Sequence, residues 1–451
     1  MGDTLTMNNN GTGYSATFTV DNEATAVVNE LPLDVVPAST AQFGVNLACG
    51  EFGATPGTFG TDYTYPRTPE LDYYKSKGLM LIRMPFKWER VQHDVNGPLD
   101  TETDLQKIKD VVQAAQDRGI SVILDMHNYA RRKVDTKTFV IGQTDTLTVA
   151  HFVDVWTKLA NEFKDFTNIG GYDIMNEPHD LGGVSWYKVS QAVINGIRSV
   201  DDKTPIYIEG NSWASSYSWK TASDSLKYLV DPSNNLVYEA HCYFDSNSSG
   251  IYTGSYSTEV STDMVYEIRL MPFFNWLKEN NKKGLIGEFG VPGSDTRWLT
   301  MLDRALTYMK ENNVSGTYWA GGPWWGSTYK ISIEPSGTVD SYVDKPQMSI
   351  LQKYGKVESD ISTEIIDNKL IKQDEITINC ANNYLQIKSE SNLKRVEIYN
   401  LIGLSIYRAD NQGSEINVPV DNFSTGNYII RVTTEDNHII SRKIFTHSNS
   451  N

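Results

Sequence analysis

Gly170-Gly171-Tyr172-Asp173-Ile174-Met175-Asn176-Glu177-Pro178 is a short apolar run that stops at a polar pair. Leu285-Ile286-Gly287-Glu288-Phe289-Gly290 follows the same plan. Each reads as a buried strand with one glutamate at its exit. A carboxylate beside a core is costly unless something compensates it, so two in equivalent positions ask for a chemical purpose. Working outward, further apolar runs lie between residues 41 and 355. They are Phe43-Gly44-Val45-Asn46-Leu47, Leu79-Met80-Leu81-Ile82-Arg83, Val122-Ile123-Leu124-Asp125-Met126, Ile206-Tyr207-Ile208, Leu236-Val237-Tyr238-Glu239-Ala240 and Gly316-Thr317-Tyr318-Trp319. Runs that are apolar along their length point to parallel strands covered on both faces. Amphipathic segments alternate with them, at residues 105–118, 149–163 and 300–311. Eight strands alternating with helices predict an α/β fold, a (β/α)8 TIM barrel. An open doubly wound sheet is the alternative, but no glycine-rich phosphate fingerprint follows the first run.

The flanks read differently. Residues 1–38 form a polar extension whose alternating stretch, Tyr14-Ser15-Ala16-Thr17-Phe18-Thr19-Val20, predicts an edge hairpin or the end of a β domain. The barrel is expected over 39–355. A charged stretch without periodicity, 356–375, reads as a linker. Over 376–451 the pattern is purely β, with runs Val396-Glu397-Ile398-Tyr399, Ser405-Ile406-Tyr407, Glu415-Ile416-Asn417-Val418 and Tyr428-Ile429-Ile430-Arg431-Val432. Turns are expected at Ile402-Gly403 and Thr425-Gly426-Asn427, giving a small all-β sandwich domain.

Of the 451 residues, 39% are hydrophobic and 11% aromatic, enough for a substantial core. The formal net charge of -16 disfavours nucleic acid and anionic membrane as partners and fits a neutral substrate. No run of 18 apolar residues occurs, so no membrane span is expected. The start, Met1-Gly2-Asp3-Thr4, has neither a charged n-region nor an apolar h-region. Three cysteines, Cys49, Cys242 and Cys380, have no zinc-ligand spacing and read as unpaired thiols, with a Cys49–Cys242 bridge as the alternative. A monomer is expected.

In a barrel, function gathers where strands end. Arg83 ends the second run, His127 and Asn128 follow the third, and Asn176 and Glu177 the fourth. Asn211 and Trp213 follow the fifth, His241 and Tyr243 the sixth, Glu288 closes the seventh and Trp319 the eighth. Two carboxyls in such a setting are what glycosidic-bond cleavage needs, one as proton donor and one as nucleophile or base. Glu177 would be the general acid/base, its proton retained because an anion lies nearby. Glu288 would be that anion, held by Arg83 and the Tyr243 hydroxyl. Asn176 would grip a sugar 2-hydroxyl, and His127 and His241 would orient the sugar or polarise the carboxyls. Trp319 would form a floor under the ring, and Asn128 and Trp213 complete the candidate substrate contacts. Arg83 also has a purely structural reading, as the ion-pair partner of Asp125 or Glu177.

The same residues carry a resemblance. The Gly170 to Pro178 stretch and Gly287-Glu288-Phe289-Gly290 resemble the signatures of glycoside hydrolase family 5. His127-Asn128-Tyr129-Ala130-Arg131, Met175-Asn176-Glu177-Pro178-His179-Asp180 and His241-Cys242-Tyr243-Phe244-Asp245-Ser246 resemble its fungal-type endoglucanase branch. Cys242 is less usual at its position. Membership implies a retaining double displacement, β-1,4-glucan as the usual substrate and no cofactor. Mannan, xyloglucan and mixed-linkage glucan remain alternatives, to be decided around Trp213, Trp219, Trp324 and Trp325. A non-catalytic glycan binder would show a damaged acid or nucleophile, and both glutamates are intact. The C-terminal segment, with Val396 to Gly403 and Gly426 to Val432, is similar to type IX secretion sorting domains. That likeness implies export by the type IX machinery to the cell surface or medium. A fibronectin-like spacer or a carbohydrate-binding module is the alternative, although the segment has no Trp.

Overall fold

The structure, a computed structural model, describes residues 39–326, 328–355 and most of 371–446. The stretch 14–20, residues 356–370 of the expected linker and the Ile402-Gly403 turn lie outside the described residues. Two compact units are distinguished, one carrying the barrel and one carrying the C-terminal strands.

The eight barrel strands are Phe43–Leu47, Leu81–Phe86, Ser121–Met126, Ile169–Asp173, Ile206–Glu209, Leu236–His241, Lys283–Phe289 and Ser315–Gly321. Each pairs in parallel with the next in sequence, and the first pairs with the eighth, so the sheet closes on itself. The expected helices are present as Asp104–Gln116, Val149–Phe163 and Thr296–Glu311. Val149–Phe163 buries Phe152, Val155, Trp156, Leu159, Ala160 and Phe163, a stripe at helical spacing that turns one face to the sheet. Each large apolar side chain so buried contributes about 1.5–3 kcal/mol.

What fills the barrel follows from the period of two along a strand. Leu81, Ile123 and Leu285 form a small apolar cluster with Tyr207 and Val237. Two residues further along the same strands, on the same side, stand Arg83, Asp125, Gly287, Glu209 and Glu239. A greasy plug therefore lies beneath a charged layer. Gly287 is required there, because a Cβ at that position would come within 1.7 Å of Glu239 Oε1.

Arg83 does not end the second strand; Met84, Pro85 and Phe86 continue it, so the guanidinium lies inside the barrel and not at its rim.

The C-terminal unit has two four-stranded antiparallel sheets. In one, Ile371–Gln373, Ile376–Ala381, Tyr384–Ser389 and Glu415–Pro419 pair in that order. In the other the order is Ser405–Asp410, Leu393–Asn400, Gly426–Thr434 and Ile439–Thr446. Ile378, Leu385, Ile387 and Val418 of the first share one core with Val396, Ile398, Ile430 and Val432 of the second, which makes the pair a sandwich. A strand, Ile371–Gln373, falls within the stretch read as linker, and Gly426 opens a strand instead of closing a turn.

Candidate active site

Two indole N–H groups fix the strand exits that matter most. Trp156 Nε1 donates to the Ile174 carbonyl at 2.9 Å, and Trp186 Nε1 donates to the Glu209 carbonyl at 2.8 Å. Backbone bonds from Asn176 N to Met126 O (3.0 Å) and from Tyr129 N to Asn176 O (3.0 Å) tie the third and fourth exits together. Glu177 follows in the left-handed region with φ 45°, and its N–H donates to Glu209 Oε2 at 2.6 Å.

Arg83 is the hub of the interior. Its guanidinium lies 3.0 Å from Asp125, 2.7 Å from Asp173, 2.8 Å from Glu209, 2.9 Å from Glu239 and 3.2 Å from Glu288. It also donates to the amide oxygens of Asn46 and Asn176, each at 3.0 Å. Burial opposes its charge, but Asp125, Glu239 and Asp173 hold its pKa well above the ordinary value. The structural pairing with Asp125 and the bond to Glu288 thus exist together.

His241, the last residue of the sixth strand, joins the two glutamates. Its Nδ1 is 2.8 Å from Glu177 Oε1 and 3.5 Å from Glu288 Oε2. Burial pulls its pKa down, but Glu209 and Glu288 outweigh that and hold it well above the usual histidine value. With a proton on Nδ1 the ring donates to Glu177 Oε1. Glu288 accepts the Tyr243 hydroxyl at 2.8 Å besides its contact with Arg83. Burial pushes the Glu288 carboxyl up to about 7, with His241, Arg83 and Tyr243 pulling the other way. The Glu177 side chain keeps 17% exposure against 6% for Glu288, so the first faces incoming material and the second sits deeper.

The other expected residues divide. His127 stands between Asp125 (2.8 Å from Nδ1) and the Tyr129 hydroxyl (3.1 Å from Nε2), and burial pulls its pKa well below the usual value. Asn176 Nδ2 lies 3.3 Å from the same Nε2. Trp319 stacks on His127 with ring centroids 5.5 Å apart, and its Nε1 donates to the Tyr329 hydroxyl at 2.9 Å. Trp213 is half exposed and stacks on His179 at 4.4 Å, on a turn where Ser212, Trp213 and Ala214 all have positive φ. A cleft of about 570 Å³ opens beside Glu177, lined by Trp213, Tyr217, His241, Tyr243 and Arg269. Asn128 departs from expectation. Its amide oxygen takes the Trp88 N–H at 2.8 Å, while Nδ2 donates to Glu89 (2.8 Å) and the Arg131 carbonyl (3.1 Å), leaving it occupied with loop geometry. Asn211 is occupied likewise, donating to the Ala222 carbonyl at 3.0 Å.

Asn46 and a set of buried acids, of which Asp125 alone was expected beside Arg83, supply the rest. Asn46 donates to the Gly287 and Thr317 carbonyls at 2.8 and 3.0 Å. Asp125, Asp173, Glu209 and Glu239 surround Arg83, and burial raises all four pKa values, to about 6 for Asp125 and about 7 for Asp173 and Glu239. The available signal was an acid at the same phase in successive apolar runs, beneath the residues at the exits. Two triads, Glu177–His241–Glu288 and Glu209–Glu239–His241, bring ligand atoms within 4.8 Å of one another. Arg83 already lies 2.8–3.2 Å from Glu209, Glu239 and Glu288, so a metal cation there would face a guanidinium. Cys49 and Cys242 are buried free thiols, and the Cys380 side chain lies outside the described residues.

A closed parallel barrel with two carboxyls flanking one imidazole at its C-terminal mouth is the arrangement of a barrel glycosidase. Residues 38–324 match the cellulase family, glycosyl hydrolase family 5, and the chain belongs to it. Residues 379–446 match the secretion system C-terminal sorting domain. The endo-β-1,4-glucanase B of Aspergillus niger is 33% identical over 317 residues, covering 69% of this chain and 89% of that protein. The crystal structure of Pseudomonas stutzeri endoglucanase Cel5A is 39% identical, with a TM-score of 0.64, covering 71% of this chain and 96% of that one. A second structure of that endoglucanase holds cellobiose. Among the described residues, no helix is long and apolar enough to cross a membrane.

Proposed function

We propose that the protein is a secreted endo-β-1,4-glucanase that cleaves internal bonds of cellulose and related β-glucans by double displacement. Glu288 attacks the anomeric carbon from below while Glu177 gives its proton to the departing oxygen. Glu177 then takes a proton from water, which attacks the glycosyl-enzyme and releases sugar with retained configuration. The observation that carries this reading is the closeness of the pair. One oxygen of Glu177, one of Glu288 and a His241 nitrogen lie within 4.8 Å of one another. So close an approach of the nearest oxygens accords with the roughly 5–5.5 Å between carboxyl groups that direct attack needs, rather than the roughly 6.5–9.5 Å that leaves room for a water. Asn176 grips the 2-hydroxyl, His127 and Trp319 hold the ring being cleaved, and Trp213 stacks on a sugar beyond the bond. The relatives named endo-β-1,4-glucanase support the substrate, and the sorting-domain match supports delivery to the cell surface or medium by a secretion system of that type. The active form is a monomer, with the barrel over 39–355 and the sorting domain within 376–451.

The test is reducing-sugar release from carboxymethylcellulose, barley β-glucan, glucomannan and mannan, with Glu288→Gln in parallel. Release from the glucans that falls on the order of 10⁵-fold in the variant is the expected result. Release chiefly from mannan overturns the substrate. Full activity in Glu288→Gln overturns the nucleophile.

A further inference from the structure

We propose that Glu209 is a positioning residue for Glu177, gripping the acid/base through its own backbone and through His241. The inference rests on the acid/base reading of Glu177 given above. Glu209 is wholly buried and ends the fifth strand, where Trp186 holds its carbonyl. Its carboxyl reaches Glu177 by two routes. Oε2 takes the Glu177 N–H at 2.6 Å, a bond that secures a non-glycine residue in the left-handed region at φ 45°. Oε1 takes Arg83 Nη2 at 2.8 Å and faces His241 Nε2 at 3.4 Å. The other imidazole nitrogen, Nδ1, stands 2.8 Å from Glu177 Oε1.

Glu209 accepts from the Glu177 and Arg83 N–H groups, while His241 Nε2 lies beside it at ion-pair distance, 3.4 Å, without a hydrogen bond. A carboxyl behind an imidazole sets which nitrogen points forward and keeps the ring protonated, the logic by which an orienting acid serves a histidine. Here the ring does not take a proton from substrate. It pins one oxygen of Glu177, which leaves the other to meet the departing glycosidic oxygen. Glu239 lies near the same ring nitrogen at 3.8 Å, but it makes no bond to the Glu177 backbone. Glu209 alone, among the described carboxyls, touches both the acid/base and the ring that orients it.

The experiment separates positioning from simple stability by varying the leaving group. The readout is the ratio of kcat/KM for cellotetraose, whose departing alcohol needs a proton, to kcat/KM for 2,4-dinitrophenyl β-cellobioside, whose phenolate does not. In Glu177→Ala the ratio should fall about 10²–10⁴-fold, the usual worth of a general acid. In Glu209→Gln it should fall on the order of tenfold or more, the scale of losing a partner that orients a working group from behind. A parallel loss on both substrates, with the ratio unchanged in Glu209→Gln while Glu177→Ala lowers it, overturns the inference and leaves the acid/base assignment standing. A ratio unchanged in Glu177→Ala overturns the acid/base assignment and this inference with it. If Glu209→Gln fails to fold, Glu209→Asp keeps the charge beside Arg83 while withdrawing the carboxyl from Glu177 N–H. The ratio should fall there too, and an unchanged ratio refutes the proposal.

Discussion

Replacing Tyr243 by Phe removes one oxygen and leaves the ring packed as before. That oxygen is a donor 2.8 Å from Glu288 Oε2, in a buried setting that already pushes the carboxyl up to about 7. A hydrogen bond to a charged group is worth about 1.5–3 kcal/mol, and about 1.4 kcal/mol corresponds to one pKa unit. The donor favours the carboxylate over the acid, so its loss raises the pKa, by about one to two units. Arg83 at 3.2 Å and His241 at 3.5 Å remain and limit the change to the lower end of that range. Because Glu288, as the proposed nucleophile, must attack as the anion, activity on the acidic side disappears at a higher pH in the variant. The assay is kcat/KM for 2,4-dinitrophenyl β-cellobioside between about pH 4 and 9, which reports groups of the free enzyme. The acidic limb should move upward by about one unit, with a modest loss on the plateau. A limb that stays in place, or moves downward, refutes the idea that the Tyr243 hydroxyl keeps Glu288 ionised.

Asn128→Ala should cost about 1–3 kcal/mol in urea unfolding, since it strands the buried partners of three hydrogen bonds. KM for cello-oligosaccharides should stay within about twofold, because the residue serves the loop and not the sugar. Trp213→Ala removes a half-exposed ring from the cleft beside Glu177. It should raise KM for cellopentaose about 3- to 10-fold, the worth of one stacking contact, and leave the unfolding midpoint unchanged.

Much of this was legible in the residues. The eight apolar runs mark the barrel strands because a strand covered on both faces has no polar side to show. Glu177, Glu288, His241, Tyr243 and Asn176 were visible as polar residues at or just beyond strand exits, and they converge as read. Arg83 was seen but misplaced by a few residues, because Met84-Pro85-Phe86 extends the strand and Pro is commonly read as its end. Asn128 carries the same exit signature as Asn176, and only the third dimension reveals that Trp88, Glu89 and Arg131 have claimed its amide. Asp125 was legible only as a partner for Arg83, and Asp173, Glu209 and Glu239 not at all, for the opposite reason. An acid inside an apolar run looks like a lapse in the pattern until the period of two aligns it with its counterparts on adjacent strands.

The distribution of charge around Arg83 bears on how the barrel can be divided. The cation comes from the second strand, whereas its acids come from the third, fourth, fifth, sixth and seventh. A cut after the fourth strand would leave the first half with Arg83, Asp125 and Asp173. The second half would keep Glu209, Glu239 and Glu288 with His241 as their one nearby counter-ion. The second half would thus bury three acids without the guanidinium that all of them contact, and a buried charge without its partner costs about 3–5 kcal/mol. Whatever ancestry the eight units share, this barrel is not the sum of two self-sufficient halves: like an arch, it stands when the last stone is in.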